Sequence, residues 1–165
     1  MFTSSDEVAS FIDKESIELV DVRFCDVPGV QQHFTIPVGE FLGGAIDDGL
    51  MFDGSSVRGF TAIHESDMKL VPDLSSAFVD PFRARATLVV DFSIVDPFTD
   101  EPFSRDPRQV AAKAEAHLRS TGIADQCFVG AEAEFYLFDD VRYQVTPHNT
   151  FFSVDSPEAY WNTGR

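Results

Sequence analysis

Hydrophobic and polar positions change period several times along the chain, and each change marks an element. Near the start Val8, Phe11 and Ile12 form one apolar stripe behind Ser4 and Glu7, which are spaced as a capping box; this predicts a short helix ending near Lys14. From Ile17 to Phe24 the period drops to two, with Val20, Val22 and Phe24 alternating with Asp21 and Arg23, and a second extended run covers Val30 to Ile36. Asp26-Val27-Pro28-Gly29 lies between them, with Pro28 and Gly29 suited to a tight turn, so the pair reads as a hairpin. Gly43-Gly44 and Asp47-Asp48-Gly49 frame a weakly helical or irregular patch, followed by a polar loop from Phe52 to Gly59. Asp67–Val71 and Ala86–Val95 are further extended runs that would complete a small mixed sheet.

Asp96-Pro97 through Asp106-Pro107 is rich in proline and acid and reads as a linker, which puts a domain boundary there. Asp106 then suits an N-cap with Pro107 at the first helical position, and Val110, Ala114, His117 and Leu118 recur at helical spacing until Gly122 stops the helix. From Cys127 to Phe138 every odd position from Val129 is apolar, which predicts a strand. The tail from Asp139 onward shows no clear period. The fold class expected is α+β.

Composition narrows the function. The 165 residues carry 28 Asp and Glu against 12 Lys and Arg, a net charge of -16, with the bases scattered singly. No basic stripe could neutralise a phosphate backbone, so neither nucleic acid nor an anionic membrane is an expected partner. Mean hydropathy is -0.07 and no apolar run is long enough to span a bilayer; the first residues lack a basic and an apolar signal region, so the chain reads as cytoplasmic. Cys25 and Cys127 each sit in an apolar stretch and read as buried thiols. The 17 phenylalanines suggest a packed aromatic interior and an interface.

Chemistry could sit in two places. On a strand, Glu132 and Glu134 would project from the same face, about 6.6 Å apart in rise, where two hard carboxylates could ligate Mg²⁺ or Mn²⁺. A solvated strand face is the ordinary alternative, although Phe128, Tyr136 and Phe138 make it unusually apolar. The loop from Phe52 to Phe60 combines one acid, two hydroxyls and a guanidinium, suited to closing over a polar ligand, but it lacks the Lys-Ser/Thr ending of a phosphate-binding P-loop and could be a plain connector. No nucleophile elbow, His-Glu-x-x-His pattern or paired-cysteine site is present, so covalent catalysis is not indicated.

Met51-Phe52-Asp53-Gly54-Ser55-Ser56, Glu65-Ser66-Asp67-Met68 and Gly130-Ala131-Glu132-Ala133-Glu134-Phe135 occur in the order and spacing of bacterial type I glutamine synthetase. The resemblance extends through Asp80-Pro81-Phe82, Arg105-Asp106-Pro107-Arg108 and Ser156-Pro157-Glu158-Ala159-Tyr160-Trp161-Asn162-Thr163, and is similar to the actinobacterial form. It implies an N-terminal β-grasp domain over residues 15–99 and the start of a larger catalytic domain over 107–165. It also implies ATP-dependent formation of L-glutamine from L-glutamate and ammonia through γ-glutamyl phosphate. By motif position, Glu134 and Glu132 would ligate two divalent metals (Mg²⁺ or Mn²⁺), Asp53 would bind ammonium and help take its proton, and Ser56 and Asp67 would lie beside the substrates. The family builds its sites between adjacent subunits of a dodecamer of two hexameric rings. Ala131 stands where the family commonly has proline. The family's nucleotide pocket, arginines and further metal ligands would fall beyond Arg165, so the chain is expected to be an amino-terminal fragment that is inactive alone. A short non-catalytic β-grasp module binding full-length subunits, and a related γ-glutamyl-amine ligase, are the alternatives.

Overall fold

The computed structural model describes residues 2–164, which separate into two compact units, one up to Cys127 and one from Phe128 onward. The first unit is built on a five-stranded sheet in the order β2-β1-β5-β4-β3. Strands β1 (Leu19–Cys25) and β2 (Gln31–Pro37) form the expected antiparallel hairpin. Its turn is closed by the Asp26 carboxylate, which accepts hydrogen bonds from Val30 N at 2.7 Å and Gln32 Nε2 at 2.8 Å, while Gly29 takes a φ of 93° that a side chain would resist. Strand β5 (Thr87–Val95) runs parallel to β1, and β4 (Asp67–Val79) and β3 (Leu50–Asp53) complete the sheet in antiparallel fashion, so the sheet is mixed. Together with the helices this is the α+β class that the sequence pattern predicts.

Helix α1 (Ser5–Lys14) starts where the capping signal places it. The Ser4 hydroxyl accepts from Glu7 N at 3.3 Å, but the Glu7 carboxylate reaches one residue further back than a capping box requires, to Thr3 N at 2.7 Å. That bond, with a second from the Thr3 hydroxyl, holds the Glu7 carboxyl below its usual range. Val8 and Ile12 of α1, and Phe41 and Ala45 of the helical stretch that follows α2 (Val38–Glu40), are buried with Val20, Val22, Leu88, Val90, Phe92 and Ile94 of the sheet. These are the alternate positions of β1 and β5, so a period of two on the strands meets a period near four on the helices across one core.

The opposite positions of β1 carry charge. Asp21 is fully buried, yet its oxygens accept from Arg23 Nε at 2.8 Å, His33 Nδ1 at 3.0 Å and Thr35 Oγ1 at 2.9 Å, with Arg83 Nη2 at 3.3 Å. Burial works to raise the Asp21 pKa; the bonds from Arg23, His33 and Thr35 overcome it and leave the carboxyl below its ordinary value.

Residues 96–106, read from composition as a linker, are tied down along the sheet. Val95 bridges to Pro102, Phe103 N donates to Ile94 O at 2.9 Å, and Ile94 N donates to the buried Asp106 carboxylate at 2.8 Å. The same carboxylate accepts from Arg108 N at 2.9 Å and caps α3 (Pro107–Thr121), which ends at Gly122 in the left-handed conformation as expected. Burial of Asp106 pushes its pKa up against these bonds. Proline and acid content suggests a free connector; what composition could not show is that the backbone donors and acceptors of this stretch have partners on β5.

The strand expected from Cys127 to Phe138, nearly all of it in the second unit, does not form. Residues 124–138 belong to neither helix nor strand, and Phe128 is 90% and Tyr136 87% exposed. Alternating side chains specify a strand only when a neighbour supplies the ladder, and among the described residues none lies alongside. Instead β6 (Asp140–Thr146) and β7 (Asn149–Asp155) pair with each other in a hairpin that the tail's composition concealed. The cysteines differ from expectation as well: Cys25 is half-buried and Cys127 exposed, because Cys127 precedes the unpaired stretch. Burial nevertheless raises the Cys25 thiol pKa.

Candidate functional site

The register of β3 against β4 sets Asp53 directly opposite Asp67, so two candidate residues fourteen positions apart become cross-strand neighbours. Both are exposed at the end of the sheet. Like charges facing each other across a ladder are unfavourable unless a cation or donors offset them. Part of the offset is local. Asp53 Oδ1 accepts from Ser55 N at 2.9 Å and from Ser55 Oγ at 2.6 Å, and Oδ2 accepts from Ser56 Oγ at 3.2 Å. The Ser55 bonds above all hold the Asp53 carboxyl below its ordinary range, so it is ionised at neutral pH. An ionised carboxylate fixed by hydroxyls at an open sheet end can bind a small cation and accept a proton.

Gly54 makes this arrangement possible. Its N donates to Ser66 O at 2.7 Å, stitching the start of the loop to the residue that precedes β4. A Cβ there would stand 2.6 Å from Met68 Cγ and 2.9 Å from Thr61 Oγ1, with Met68 itself buried in the core. Gly54→Ala should therefore cost the first unit about 1–3 kcal/mol through overpacking, read as a lower urea midpoint. A loss under about 0.5 kcal/mol would show that Met68 moves aside freely.

Asp67 also lines a cleft of about 720 Å³ together with Thr61, His64, Glu65, Asp96 and Glu101. The cleft lining carries four acids, Glu65, Asp67, Asp96 and Glu101, and no lysine or arginine, which favours cations over anions. Asp96 accepts from Phe98 N at 2.8 Å and Thr99 N at 2.9 Å, which keep its carboxyl low.

Glu132 and Glu134 lie in the second unit, exposed on the unpaired stretch. Without a strand, the shared face inferred from their spacing has no regular backbone behind it, although Tyr136 and Phe138, also two apart, stack at 6.2 Å. In kind, the two carboxylates suit a hard divalent cation. In number they fall short of its usual six ligands, and among the described residues no group of three His, Cys, Asp or Glu side chains could hold a metal ion. Nor, among the described residues, is any helix long and apolar enough to cross a membrane.

Two family models match the chain. Residues 16–97 match "Glutamine synthetase, beta-Grasp domain" and residues 104–164 match "Glutamine synthetase, catalytic domain". The chain is 58% identical over 165 residues to the glutamine synthetase of Frankia alni, covering 100% of this chain and 35% of that protein. It is 57% identical over 164 residues to that of Streptomyces coelicolor, covering 99% and 34%. The chain thus spans about a third of the length of the curated relatives it matches. A cryo-electron microscopy structure of Plasmodium falciparum glutamine synthetase shares the fold at a TM-score of 0.72 and 22% identity, over 95% of this chain and 30% of that one. With models of two successive domains matched along most of its length, the chain belongs to the glutamine synthetase family.

Proposed function

We propose that this sequence serves ATP-dependent ligation of ammonia to L-glutamate in a protein of its relatives' full length. The observation that carries the reading is the match to both glutamine synthetase domain models, backed by identities of 57–58% to actinobacterial synthetases. In this reaction the γ-phosphoryl group of ATP passes to the γ-carboxylate of glutamate, releasing ADP. Ammonia then attacks the acyl carbon, a C–N bond forms, phosphate leaves, and the surplus proton goes to a base.

Asp53 is the residue we assign to that base and to ammonium binding; its low pKa keeps it charged for ammonium, and its exposed position lets it reach the proton as the C–N bond forms. Ser56 orients it through the hydroxyl bond, and Asp67, opposite in the ladder, adds negative charge that favours ammonium. Glu132 and Glu134 are assigned to divalent metals, Mg²⁺ or Mn²⁺, which when bound would offset the charge of the transferring phosphoryl group. Residues 15–99 would form the β-grasp domain and 107–165 the beginning of the catalytic domain. The working form would be cytoplasmic and homo-oligomeric, a dodecamer of two hexameric rings with sites between adjacent subunits.

The test is turnover by the full-length protein carrying this sequence. Phosphate release should require ATP, L-glutamate, ammonium and a divalent cation together, and should yield glutamine. Phosphate release that continues without ammonium, or faster turnover with larger amines than with ammonia, would overturn the assignment.

A further inference from the structure

Arg105 stands out by its partners. In a chain where acids outnumber bases by more than two to one, Arg23, Arg83, Arg85, Arg108, Arg119 and Arg142 each pair with a carboxylate. Among the described residues Arg58 and Arg105 pair with no carboxylate, and of these two only Arg105 has hydrogen-bond partners. Its Nη1 instead donates to two successive backbone carbonyls, Gly59 O at 3.1 Å and Phe60 O at 2.5 Å, more than forty residues back along the chain. Those carbonyls end the loop that begins at Asp53.

The contact is built from both sides. Arg105 is held between Phe103, whose ring meets the Phe60 ring edge-on at 5.3 Å, and the buried Asp106 that caps α3. On the loop side, Gly59 adopts a φ of 84° and lies against Val27, with its ideal Cβ position 3.3 Å from Val27 Cβ. Between Arg105 and Asp53 the loop is a relay of short turns. Phe60 N donates to Val57 O at 3.2 Å, Val57 N donates to Gly54 O at 3.2 Å, and the Ser55 and Ser56 hydroxyls close on the Asp53 carboxylate. Only Val57, Arg58 and Gly59 separate Ser56 from Phe60.

From this geometry we infer that Arg105 is a positioning residue for the Asp53 loop: its guanidinium clamps the loop's far end and thereby fixes where the Asp53 carboxylate and Ser56 hydroxyl stand. The Phe60 ring anchors the same end in the core, so loss of Arg105 leaves the fold in place and loosens the turns between Ser56 and Phe60. The consequence for catalysis rests on the assignment of ammonium to Asp53. A misplacement of the order of an ångström is enough to cost a site much of its effectiveness.

The experiment compares Arg105→Ala and Arg105→Gln in the full-length protein, Gln retaining a polar amide that is too short to reach both carbonyls. Steady-state kinetics should show the KM for ammonium rising about tenfold while the KM for ATP stays within about twofold. Amide exchange should accelerate over residues 54–60 and stay unchanged over β5. Either variant folding with an unaltered KM for ammonium would overturn the proposal. So would exchange accelerated evenly across the whole sheet, or failure of both variants to fold, since each makes Arg105 a general stabiliser. If the parent protein forms no glutamine, the assigned reaction falls, and the exchange comparison still decides whether Arg105 holds the loop.

Discussion

Asp53→Ala should lower glutamine formation by the full-length protein by about 10²- to 10⁴-fold, the span that loss of a positioned general base commonly costs. The carboxylate is exposed, ionised at neutral pH and fixed by three bonds from Ser55 and Ser56, so it needs little reorganisation to meet ammonium. Charge and shape can be separated. Asn at this position could still accept from Ser55 through its amide oxygen, keeping the loop start intact while removing the negative charge. If the charge carries the effect, Asp53→Asn falls nearly as far as Asp53→Ala; if the loop geometry carries it, Asn recovers most of the rate. Turnover of both variants within about threefold of the parent would remove Asp53 from the chemistry altogether.

What the sequence pattern revealed about this site follows the range of the interactions involved. Both long helices were legible because their signals are local: Ser4 before α1, and Asp106-Pro107 and Gly122 around α3, each act within four residues of the helix end they set. The β1–β2 hairpin was legible for the same reason, its turn acid and glycine lying between the strands they join. Strand β3 was not. It has four residues, half of them exposed, and exists because Leu50–Asp53 finds Leu70–Asp67 on β4, a partner that no local period announces. The pairing of Asp53 with Asp67 was hidden with it, so Asp67 came from the resemblance to a family, while composition had marked Asp53 only as the one acid of a polar loop. The stretch from Cys127 to Phe138 is the converse: its period was strong, but alternation states a preference and a ladder needs a neighbour. The β6–β7 hairpin had a signal that composition masked. Val141, Tyr143 and Val145 alternate before Pro147-His148, a two-residue connection between paired Thr146 and Asn149.

The loop that carries Asp53 is also a piece of the core, and Phe60→Ala should expose that dependence. The Phe60 side chain is 1% exposed and meets three other rings, Phe103 at 5.3 Å, Phe24 at 6.4 Å and Phe52 at 6.5 Å between centroids. Truncating a buried phenylalanine to alanine costs about 3–5 kcal/mol, part in lost transfer free energy and part in the cavity left behind. A stability of 5–15 kcal/mol is usual for a domain, so this is a large fraction of what holds the first unit together. The rings on either side belong to β1, β3 and the segment before α3, so the cavity would open where the loop joins the sheet and where Arg105 reaches back to it. Urea unfolding of the 165-residue chain, followed by far-ultraviolet circular dichroism because Trp161 lies in the other unit, should show the sheet transition at a markedly lower midpoint. Phe60→Leu, which refills much of the volume, should recover more than half of the loss. A midpoint for Phe60→Ala that matches the parent would mean the aromatic cluster closes over the gap, and that the loop is held by its hydrogen bonds and Arg105 rather than by its ring.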